Sequence, residues 1–418
     1  EAVKLVKSGE RWATTHATAE SMILAEALCR RANELKGVQL WQGLNWGNAP
    51  YCDPKYHGHL DVDTVFCGSA TRIATSEGRG QFAPMSVSMI DRAFSETRPV
   101  DGILAHVTPP DEHGYCNLGV SVDFGASAIA HGHKIIAHVN RNMPWVYGNY
   151  NTIHVSQIDA IVEADVPLLN IPPIDDTDPV STQIGQHIAA LIPDGACLQM
   201  GQGKVPNAIL KCLSDKKDLG IHTEVFSDNL LPLIESGVVN GRRKTLGKIT
   251  AMFIQGSSEL YRYVDRNVMI NMMPGWYTNN PINIAQNDNV CAINACLQVD
   301  LTGQVNCEWN NGKIFSGVGG QSDFLRGAAY SKGGKPILCL PSTAKGGTIS
   351  RIVPVLPQGV PVSTARIDVH WIVTEYGAVN LFGLGLMERG EALISIAHPK
   401  FRDQLQNEFD AYWRAMKG

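Results

Sequence analysis

The sequence predicts an α/β fold with mainly parallel sheets, and three observations lead to that class. Continuous apolar runs at 102–107 and 134–139 are typical of buried strands of a parallel sheet. Segments with apolar residues at helical spacing alternate with these runs, as at 19–35, where Gly37 is the stop signal. Of the 418 residues, 44% are hydrophobic and 18% are charged, which is the composition of a globular protein.

The strand and helix alternation is interrupted once, by a Pro- and Asp-rich stretch from Ile171 to Pro179. This stretch is the best linker candidate, and a helical pattern resumes at 184–192. We therefore predict an N-terminal α/β domain over 1–180 and a C-terminal α/β domain over 181–418. Each has about the size of one α/β domain.

Composition also excludes several classes of protein. The net charge is −5, and the short basic run 242–244 is too small for a nucleic-acid surface. The ten cysteines contain no C-x-x-C pair, which argues against a structural zinc site and a disulfide framework. No apolar run approaches the roughly 20 residues of a membrane span, and charged residues in 1–11 are unlike a signal peptide. We expect a cytoplasmic enzyme with reduced thiols and without nucleic-acid or membrane partners.

A short glycine loop joins a predicted strand at 196–200 to a predicted helix. Gly201, Gln202 and Gly203 form this loop, and Pro206 suits the first helical turn that follows. Such a loop directs backbone N–H groups at an anion or at a developing oxyanion. A tight glycine turn that binds no ligand is equally consistent with this sequence. A dinucleotide fingerprint is disfavoured because its third glycine position is Pro206 here, and no clear ribose-binding acid follows.

Glu224 ends an alternating run, 221–226, that predicts a second strand about twenty residues later. The carboxylate is expected near the carboxyl end of this strand, where open α/β sheets bind ligands. A solvated strand-end charge is the common alternative. Because His222 lies two residues earlier, a metal ligand and a general base are further alternatives for the Glu224 carboxylate.

A second glycine loop, 315–324, precedes a predicted helix at 325–330. Taken alone it could be a tight turn. Two glycine loops and one strand-end carboxylate within a single domain are more specific together than any of them apart.

Six ordered motifs in these regions resemble a known family. They are G-x-G-x-x-P-x-A, D-L-G-I-H-T-E, S-G-V-G-G-Q-S-D-F-x-R-G-A, S-R-I-V-P, V-T-E-Y-G and I-A-H-P-x-F-R. The set is similar to the acetyl-CoA hydrolase/transferase family of family I CoA-transferases, which includes 4-hydroxybutyrate, acetate, butyrate and succinate CoA-transferases. The resemblance implies two similar open α/β domains, an active site in the cleft between them, and a homodimer or higher homo-oligomer.

The resemblance also assigns site residues. Glu224 matches the family's glutamate nucleophile. The oxyanion and CoA-binding loops match Gly201, Gln202, Gly203, Gly317, Gly319, Gly320 and Gln321. Positions associated with acyl or CoA handling match Asn294 and Glu375, and His16 matches a histidine near the acyl pocket. Structural alternatives stay open for these three residues. Asn294 could only link a strand end to a loop, Glu375 could be a salt-bridge partner, and His16 could have a purely structural role.

One position departs from the family pattern. Gln202 stands where the family commonly has a small apolar residue, which leaves the substrate class open. Amide and aromatic groups at 45–48 and 150–151 are expected on the acyl side, and they favour an acyl chain with a polar end.

A glutamate suits acyl transfer because its attack on a thioester gives an acid anhydride, which is activated at both carbonyls. The implied partners are acyl-CoA and small carboxylic acids, without a metal or a permanently bound cofactor, and CoA is both substrate and covalent intermediate. A hydrolase that uses the same glutamate and a non-catalytic CoA sensor are the alternatives. The identity of the two acids stays open.

Overall fold

The structure is a computed structural model that describes residues 1–171, 178–201 and 203–416. Its first half is built on a seven-stranded sheet with the order β4-β3-β2-β1-β5-β6-β7, in which every neighbouring pair is parallel. The strands are β1 (Arg11–Thr14), β2 (Val38–Gln42), β3 (Leu60–Thr64), β4 (Gly80–Phe82), β5 (Gly102–Val107), β6 (Lys134–Val139) and β7 (Ala160–Glu163).

The second half is built on a six-stranded sheet with the order β9-β8-β10-β11-β12-β13. It is parallel apart from the antiparallel hairpin β12–β13 at one edge. The strands are β8 (Cys197–Met200), β9 (Gly220–Ile221), β10 (Val290–Ala295), β11 (Lys335–Cys339), β12 (Trp371–Thr374) and β13 (Gly377–Asn380). The two mainly parallel sheets confirm the predicted α/β class.

Helices flank both sheets. They are α1 (Met22–Arg30), α2 (Ser69–Ser76), α3 (Ile90–Glu96), α4 (Gly125–His131), α5 (Pro179–Leu191), α6 (Lys204–Lys211), α7 (Leu231–Glu235), α8 (Ser258–Val264), α9 (Gly275–Thr278), α10 (Pro281–Ala285), α11 (Gln321–Tyr330), α12 (Leu386–Ser395) and α13 (Pro399–Met416). Short strand pairings outside the two sheets join Tyr115–Asn117 to Thr152–His154, Val225–Phe226 to Phe253–Ile254, and Ile249–Ala251 to Ile270–Met272. Others join Gln298–Asp300 to Val305–Asn306 and Ile352–Val353, Trp309–Asn310 to Lys313–Ile314, and Thr343–Ala344 to Ile349–Ser350.

Helix boundaries follow local capping more closely than apolar spacing. The helix expected over 19–35 is confined to α1, because the Ser21 hydroxyl caps its start by accepting from the Leu24 N–H at 3.3 Å. A separate 3₁₀ turn, Ala32–Glu34, follows it. Helix α5 begins earlier than the expected 184–192, since the Asp178 carboxylate caps it and Pro179 occupies its first turn.

The prediction of one continuous strand over 221–226 was wrong. Only Gly220–Ile221 joins the six-stranded sheet, and Val225–Phe226 pairs instead with Phe253–Ile254. Glu224 lies at the bend between these two short pieces. The chain changes sheets there, so the carboxylate projects beyond the carboxyl end of β9 and next to the end of β8.

The largest apolar core cluster spans both halves. Trp41 and Phe124 from the first half belong to the same buried cluster as Leu198 and Phe226 from the second half. The N–H of Val122 donates to the Met252 carbonyl at 3.1 Å across the junction. Residues 172–177 of the expected linker lie outside the described residues. The domain boundary near residue 180 stays a prediction.

The ten cysteines all fall within the described ranges and are free thiols. Among the helices that the structure describes, none is both long enough and apolar enough to cross a membrane. Residues 1–171, 178–201 and 203–416 also contain no group of three or more His, Cys, Asp or Glu side chains placed to hold a metal ion.

Candidate active site

Glu224 is held by its backbone at the bend where the chain leaves the second sheet. Its carbonyl accepts from the N–H groups of Met252 and Phe253, at 3.0 and 3.1 Å. These two bonds anchor the residue to the segment that also packs on the first half of the chain. The side chain is half-buried, so its carboxylate combines a fixed position with contact to a cavity.

Two neutral donors hold the Glu224 carboxylate. The amide nitrogen Nδ2 of Asn279 donates to Oε1 at 2.8 Å, and the backbone N–H of Gly320 donates as well. A methyl group at position 320 would lie 2.2 Å from Oε1 and 2.1 Å from the Asn279 amide nitrogen. Glycine is therefore required here by the close approach of the loop to the carboxylate.

Burial raises the pKa of the Glu224 carboxyl to about 7, and the nearby Asp323 carboxylate adds to this rise. The hydrogen bond from Asn279 acts in the opposite direction because it stabilises the ionised form. The result is a carboxylate that is poorly solvated and yet ionised in part near neutral pH. Poor solvation leaves such a group more reactive toward a carbonyl carbon than an exposed glutamate would be.

Asp323, near the start of α11, is a second buried carboxylate beside Glu224. It accepts from the N–H of Ser88 at 3.1 Å and from the Ser88 hydroxyl at 2.8 Å, and Asn279 also hydrogen-bonds to it. Burial raises the pKa of Asp323 to about 6. Since Ser88 belongs to the first half, the chain Ser88–Asp323–Asn279–Glu224 ties the carboxylate to both halves of the molecule.

Sequence reasoning missed Asn279 and Asp323 as neighbours of Glu224. Asp323 lies inside the S-G-V-G-G-Q-S-D-F motif, so its place beside the second glycine loop was a usable signal. Asn279 carried no such signal. It precedes Asn280 and Pro281, which begin α10, and it resembles an ordinary capping residue in sequence.

His222 braces the segment that carries Asn279. Its ring nitrogen Nε2 donates to the Thr278 carbonyl at 2.8 Å, and the ring packs on Phe324. Burial lowers the pKa of His222 to about 3, so the imidazole is neutral at ordinary pH. In the structure the histidine therefore has a packing and hydrogen-bonding position.

A cavity of about 360 Å³ opens next to Glu224, between the two halves of the molecule. Gly201 from the first glycine loop, Gly319 from the second loop, and His16 all line it together with Glu224. The structure thus brings together four of the residues that the family resemblance assigned to the site. The volume of the cavity is within the range of about 300–1,000 Å³ that is typical of small-molecule sites.

His16 lines this cavity, and both of its ring nitrogens already have polar partners. Its Nε2 accepts from the backbone N–H of Leu44 at 2.8 Å, and Nδ1 lies 3.2 Å from an Asp123 carboxylate oxygen. The ring packs edge-on against Phe124 and Phe253. These contacts support the structural alternative for His16, although the residue does border the cavity as expected.

The two glycine loops differ in how they meet the rest of the molecule. A methyl group at Gly317 would lie 2.4 Å from the Val65 carbonyl oxygen, so this loop packs closely on the first half. Gly201 has open space around it, and Gly203 has a φ of +153° just before α6. Gln202 lies outside the described residues. Gln321 is absent from the described residues that line the cavity, and its side chain donates to the Thr364 hydroxyl at 2.8 Å.

Asn294 and Glu375 are not brought to the cavity. Asn294, near the end of β10, pairs its amide with that of Gln199 on β8, with Nδ2 donating at 2.9 Å. Glu375, in the turn after β12, accepts from the N–H and hydroxyl of Ser342 at 2.8 and 2.5 Å. Both lie at the carboxyl edge of the second sheet, and their expected role in acyl or CoA handling stays a prediction.

The polar groups expected on the acyl side are divided between two places. Trp46 lines the cavity, and its indole N–H donates to the Gln255 amide oxygen at 2.6 Å. Tyr150 packs instead against Trp276, and Asn151 donates to the Val146 carbonyl at 2.7 Å. Tyr150 and Asn151 are absent from the described residues that line the cavity.

Comparison with known proteins decides the family. Residues 1–171 match the acetyl-CoA hydrolase/transferase N-terminal domain, and residues 256–409 match the C-terminal domain of that name. The chain belongs to the acetyl-CoA hydrolase/transferase family. This confirms the family and the enzyme class, a family I CoA-transferase, that the ordered motifs predicted.

Individual relatives cover nearly the whole chain. It is 44% identical to a 4-hydroxybutyrate coenzyme A transferase of Clostridium kluyveri, over 98% of this chain and 96% of the relative. It is 42% identical to a succinyl-CoA:cyclohexane-1-carboxylate CoA transferase of Geobacter metallireducens, over 97% and 92%. The crystal structure of RipA from Yersinia pestis superposes with a TM-score of 0.91 at 39% identity, covering 98% of this chain and 96% of that one.

Proposed function

We propose that this enzyme transfers CoA from a short-chain acyl-CoA to a free carboxylic acid, with Glu224 as the nucleophile. One observation carries the proposal. The Glu224 carboxylate faces a cavity between the two halves, is held by Asn279 and Gly320, and is flanked by both glycine loops. The CoA-transferase relatives support the reaction class.

The first half-reaction moves CoA onto the enzyme. A Glu224 carboxylate oxygen attacks the thioester carbonyl, the carbon–sulfur bond breaks, and CoA leaves as a thiolate. The product is an acyl-glutamyl anhydride. The thiolate then attacks the glutamyl carbonyl, the anhydride carbon–oxygen bond breaks, and the first carboxylic acid leaves as its carboxylate. A glutamyl-CoA thioester remains.

The second half-reaction is the reverse with a different acid. The acceptor carboxylate attacks the glutamyl thioester carbonyl and releases CoA thiolate, which gives a new anhydride. The thiolate attacks the acyl carbonyl of that anhydride, so the new acyl-CoA forms and Glu224 is free again. Atoms and charges balance without a metal, a redox group or a net proton.

The residues around Glu224 suit these steps. Each addition places negative charge on a carbonyl oxygen, and fixed N–H donors stabilise that charge. We assign this task to the backbone of the loops at Gly201 and Gly319, since both border the cavity that holds the carboxylate. Asn279 and the Gly320 N–H keep the carboxylate in one position through both half-reactions.

Exclusion of water separates transfer from hydrolysis, because water would cleave either covalent intermediate. The cavity walls near Glu224 are mostly apolar, with Phe66, Met252 and Phe253 among them. These walls favour transfer over hydrolysis. A hydrolase would release free CoA from acyl-CoA alone, at a rate equal to turnover.

Initial-rate kinetics test the proposal. Varying the acyl-CoA at several fixed acid concentrations should give parallel double-reciprocal lines, as two separate half-reactions require. Glu224→Ala and Glu224→Gln should abolish transfer, whereas Glu259→Gln, at an exposed position on α8, should keep it. Intersecting lines, or a folded Glu224→Ala enzyme with undiminished transfer, would refute it. The homo-oligomeric state and the cytoplasmic location stay predictions.

A further inference from the structure

The side chains that line the cavity beside Glu224 are mostly apolar. Its apolar surface comes from both halves of the molecule: Leu44, Val65, Val87, Phe124, Met252 and Phe253. Among the described residues that line it, the ionisable side chains are those of Glu224 and His16, and none is a lysine or an arginine. A charged group placed there would therefore depend on His16 for a counter-ion.

Both ring nitrogens of His16 already have partners. Its Nε2 accepts a hydrogen bond from the Leu44 N–H at 2.8 Å. Its Nδ1 lies 3.2 Å from a carboxylate oxygen of Asp123. Neither nitrogen is therefore free to bind a carboxylate at the end of an acyl chain.

Three carboxyl groups lie in or behind the wall of the cavity. Glu224 itself carries the reacting carboxylate, and Asp323 lies behind Asn279 on the same side. Asp123 stands behind His16. A carboxylate at the far end of an acyl chain would leave water, find no lysine or arginine among the described lining residues and lie near other carboxyl groups, each of which is unfavourable in an apolar site.

We infer that the enzyme selects acyl groups without charge, such as alkyl or hydroxyalkyl chains, and discriminates against the monothioesters of dicarboxylic acids. The polar pair at the cavity wall fits this class, because the Trp46 indole and the Gln255 amide are neutral. The inference rests on the proposed function, since it places the acyl chain in the cavity next to Glu224.

The direct test compares butyryl-CoA with succinyl-CoA, using acetate as the acceptor for both. The two donors have the same four-carbon chain and differ in the terminal carboxylate. We expect kcat/KM to be at least about 100-fold higher for butyryl-CoA, because an uncompensated buried charge is that unfavourable. Values within tenfold of each other would overturn the charge selection and leave CoA transfer intact. No transfer from any acyl-CoA would overturn the proposed function instead.

A variant of the cavity wall tests the location of the effect. Met85 lines the cavity and has nearly the length of a lysine side chain. Met85→Lys should supply the missing cation and reduce the preference for butyryl-CoA by at least about tenfold. Met85→Gln, which is neutral and of similar length, should leave the preference unchanged. An unchanged preference in folded Met85→Lys would place the acyl chain elsewhere and overturn the inference.

Discussion

The two glycine loops beside Glu224 meet the molecule in opposite ways. At Gly317 and Gly320 an added methyl group would lie 2.4 Å or less from its nearest neighbour, so packing alone demands glycine. At Gly201 an added methyl group would meet nothing within 4 Å, although the residue borders the same cavity. The second loop is thus part of the framework that holds the carboxylate, whereas the first loop faces open space where a ligand would lie.

This difference separates two reasons for keeping glycine, and they have different experimental signatures. Replacing a glycine that packing requires should impair both the fold and the activity. Replacing a glycine that is needed for the approach of a ligand should reduce the activity while the fold stays intact. Substitutions at the two loops, and at the residues that join them to Glu224, can therefore confirm or break the comparison.

Among substitutions at the loops and at the residues that join them to Glu224, the largest effect is expected for Gly320→Ala. The new methyl group would fall 2.2 Å from Glu224 Oε1 and 2.1 Å from the Asn279 amide nitrogen, so the carboxylate must move away from both donors. Transfer should fall about 10²–10³-fold, which is the usual loss when a fixed donor is removed from an acyl-transfer site. Steady-state rates together with circular dichroism measure it. A folded variant with wild-type kcat/KM would contradict the packing account.

Asn279→Ala should be the next most damaging substitution. It removes the 2.8 Å hydrogen bond to Glu224 and also the hydrogen bond that Asn279 makes to Asp323. The lost stabilisation of the site should be about 1–3 kcal/mol, which lowers the rate about 10–100-fold. Loss of a donor to the ionised form also raises the pKa of Glu224. The acidic limb of the pH–rate profile should therefore move to higher pH.

Asn283→Ala is a matched control for this prediction. Asn283 also donates from its amide nitrogen, to the Tyr277 carbonyl at 3.1 Å, but it does not contact Glu224. Its rate and profile should stay close to wild type. Equal losses in the two variants would mean that Asn279 acts only through stability.

The pH dependence of the first half-reaction follows from the pKa of Glu224, which burial raises to about 7. The nucleophile is the ionised form, so the rate should be constant above about pH 7 and should fall about tenfold per pH unit below it. Rapid-quench measurement of the carboxylic acid released from acyl-CoA alone, at subsaturating substrate, follows this step. A rate that stays flat down to pH 5 would show that the carboxylate is not buried as described.

The smallest effect on the fold is expected for Gly201→Ala. Because the added methyl group meets open space, the free energy of unfolding should change by no more than about 0.5 kcal/mol. Activity should fall by up to about tenfold, since the methyl group occupies the cavity wall that faces the substrate. Denaturant unfolding and steady-state kinetics separate the two. A large loss of stability would show that the first loop is packed like the second.

Much of the fold could be predicted from the sequence because long apolar runs identify central parallel strands directly. The expected strands at 102–107 and 134–139 coincide with β5 and β6. The run at 221–226 was misread as one strand because alternation of polar and apolar residues cannot reveal a change of partner. Its two ends pair with different strands, and that depends on contacts distant in sequence.

The candidate site was predictable where chemistry is concentrated in short motifs. Glu224 and both loops lie in such motifs, and the structure places Gly201, Gly319 and Glu224 around one cavity. Asn279 could not be found in this way, because its role arises only when α9 packs beside the second loop. Asn294 and Glu375 were assigned by the same family resemblance, yet their side chains bind Gln199 and Ser342 in the fold.

The most direct test of the central claim is the mass of the enzyme after incubation with an acyl-CoA and no acceptor acid. We predict a covalent CoA adduct, mapped by peptide fragmentation to Glu224, that disappears when a carboxylic acid is added. Glu224→Gln should form no adduct, while Glu259→Gln should form it normally. Transfer that proceeds with no adduct, or with CoA attached to another residue, would contradict the account.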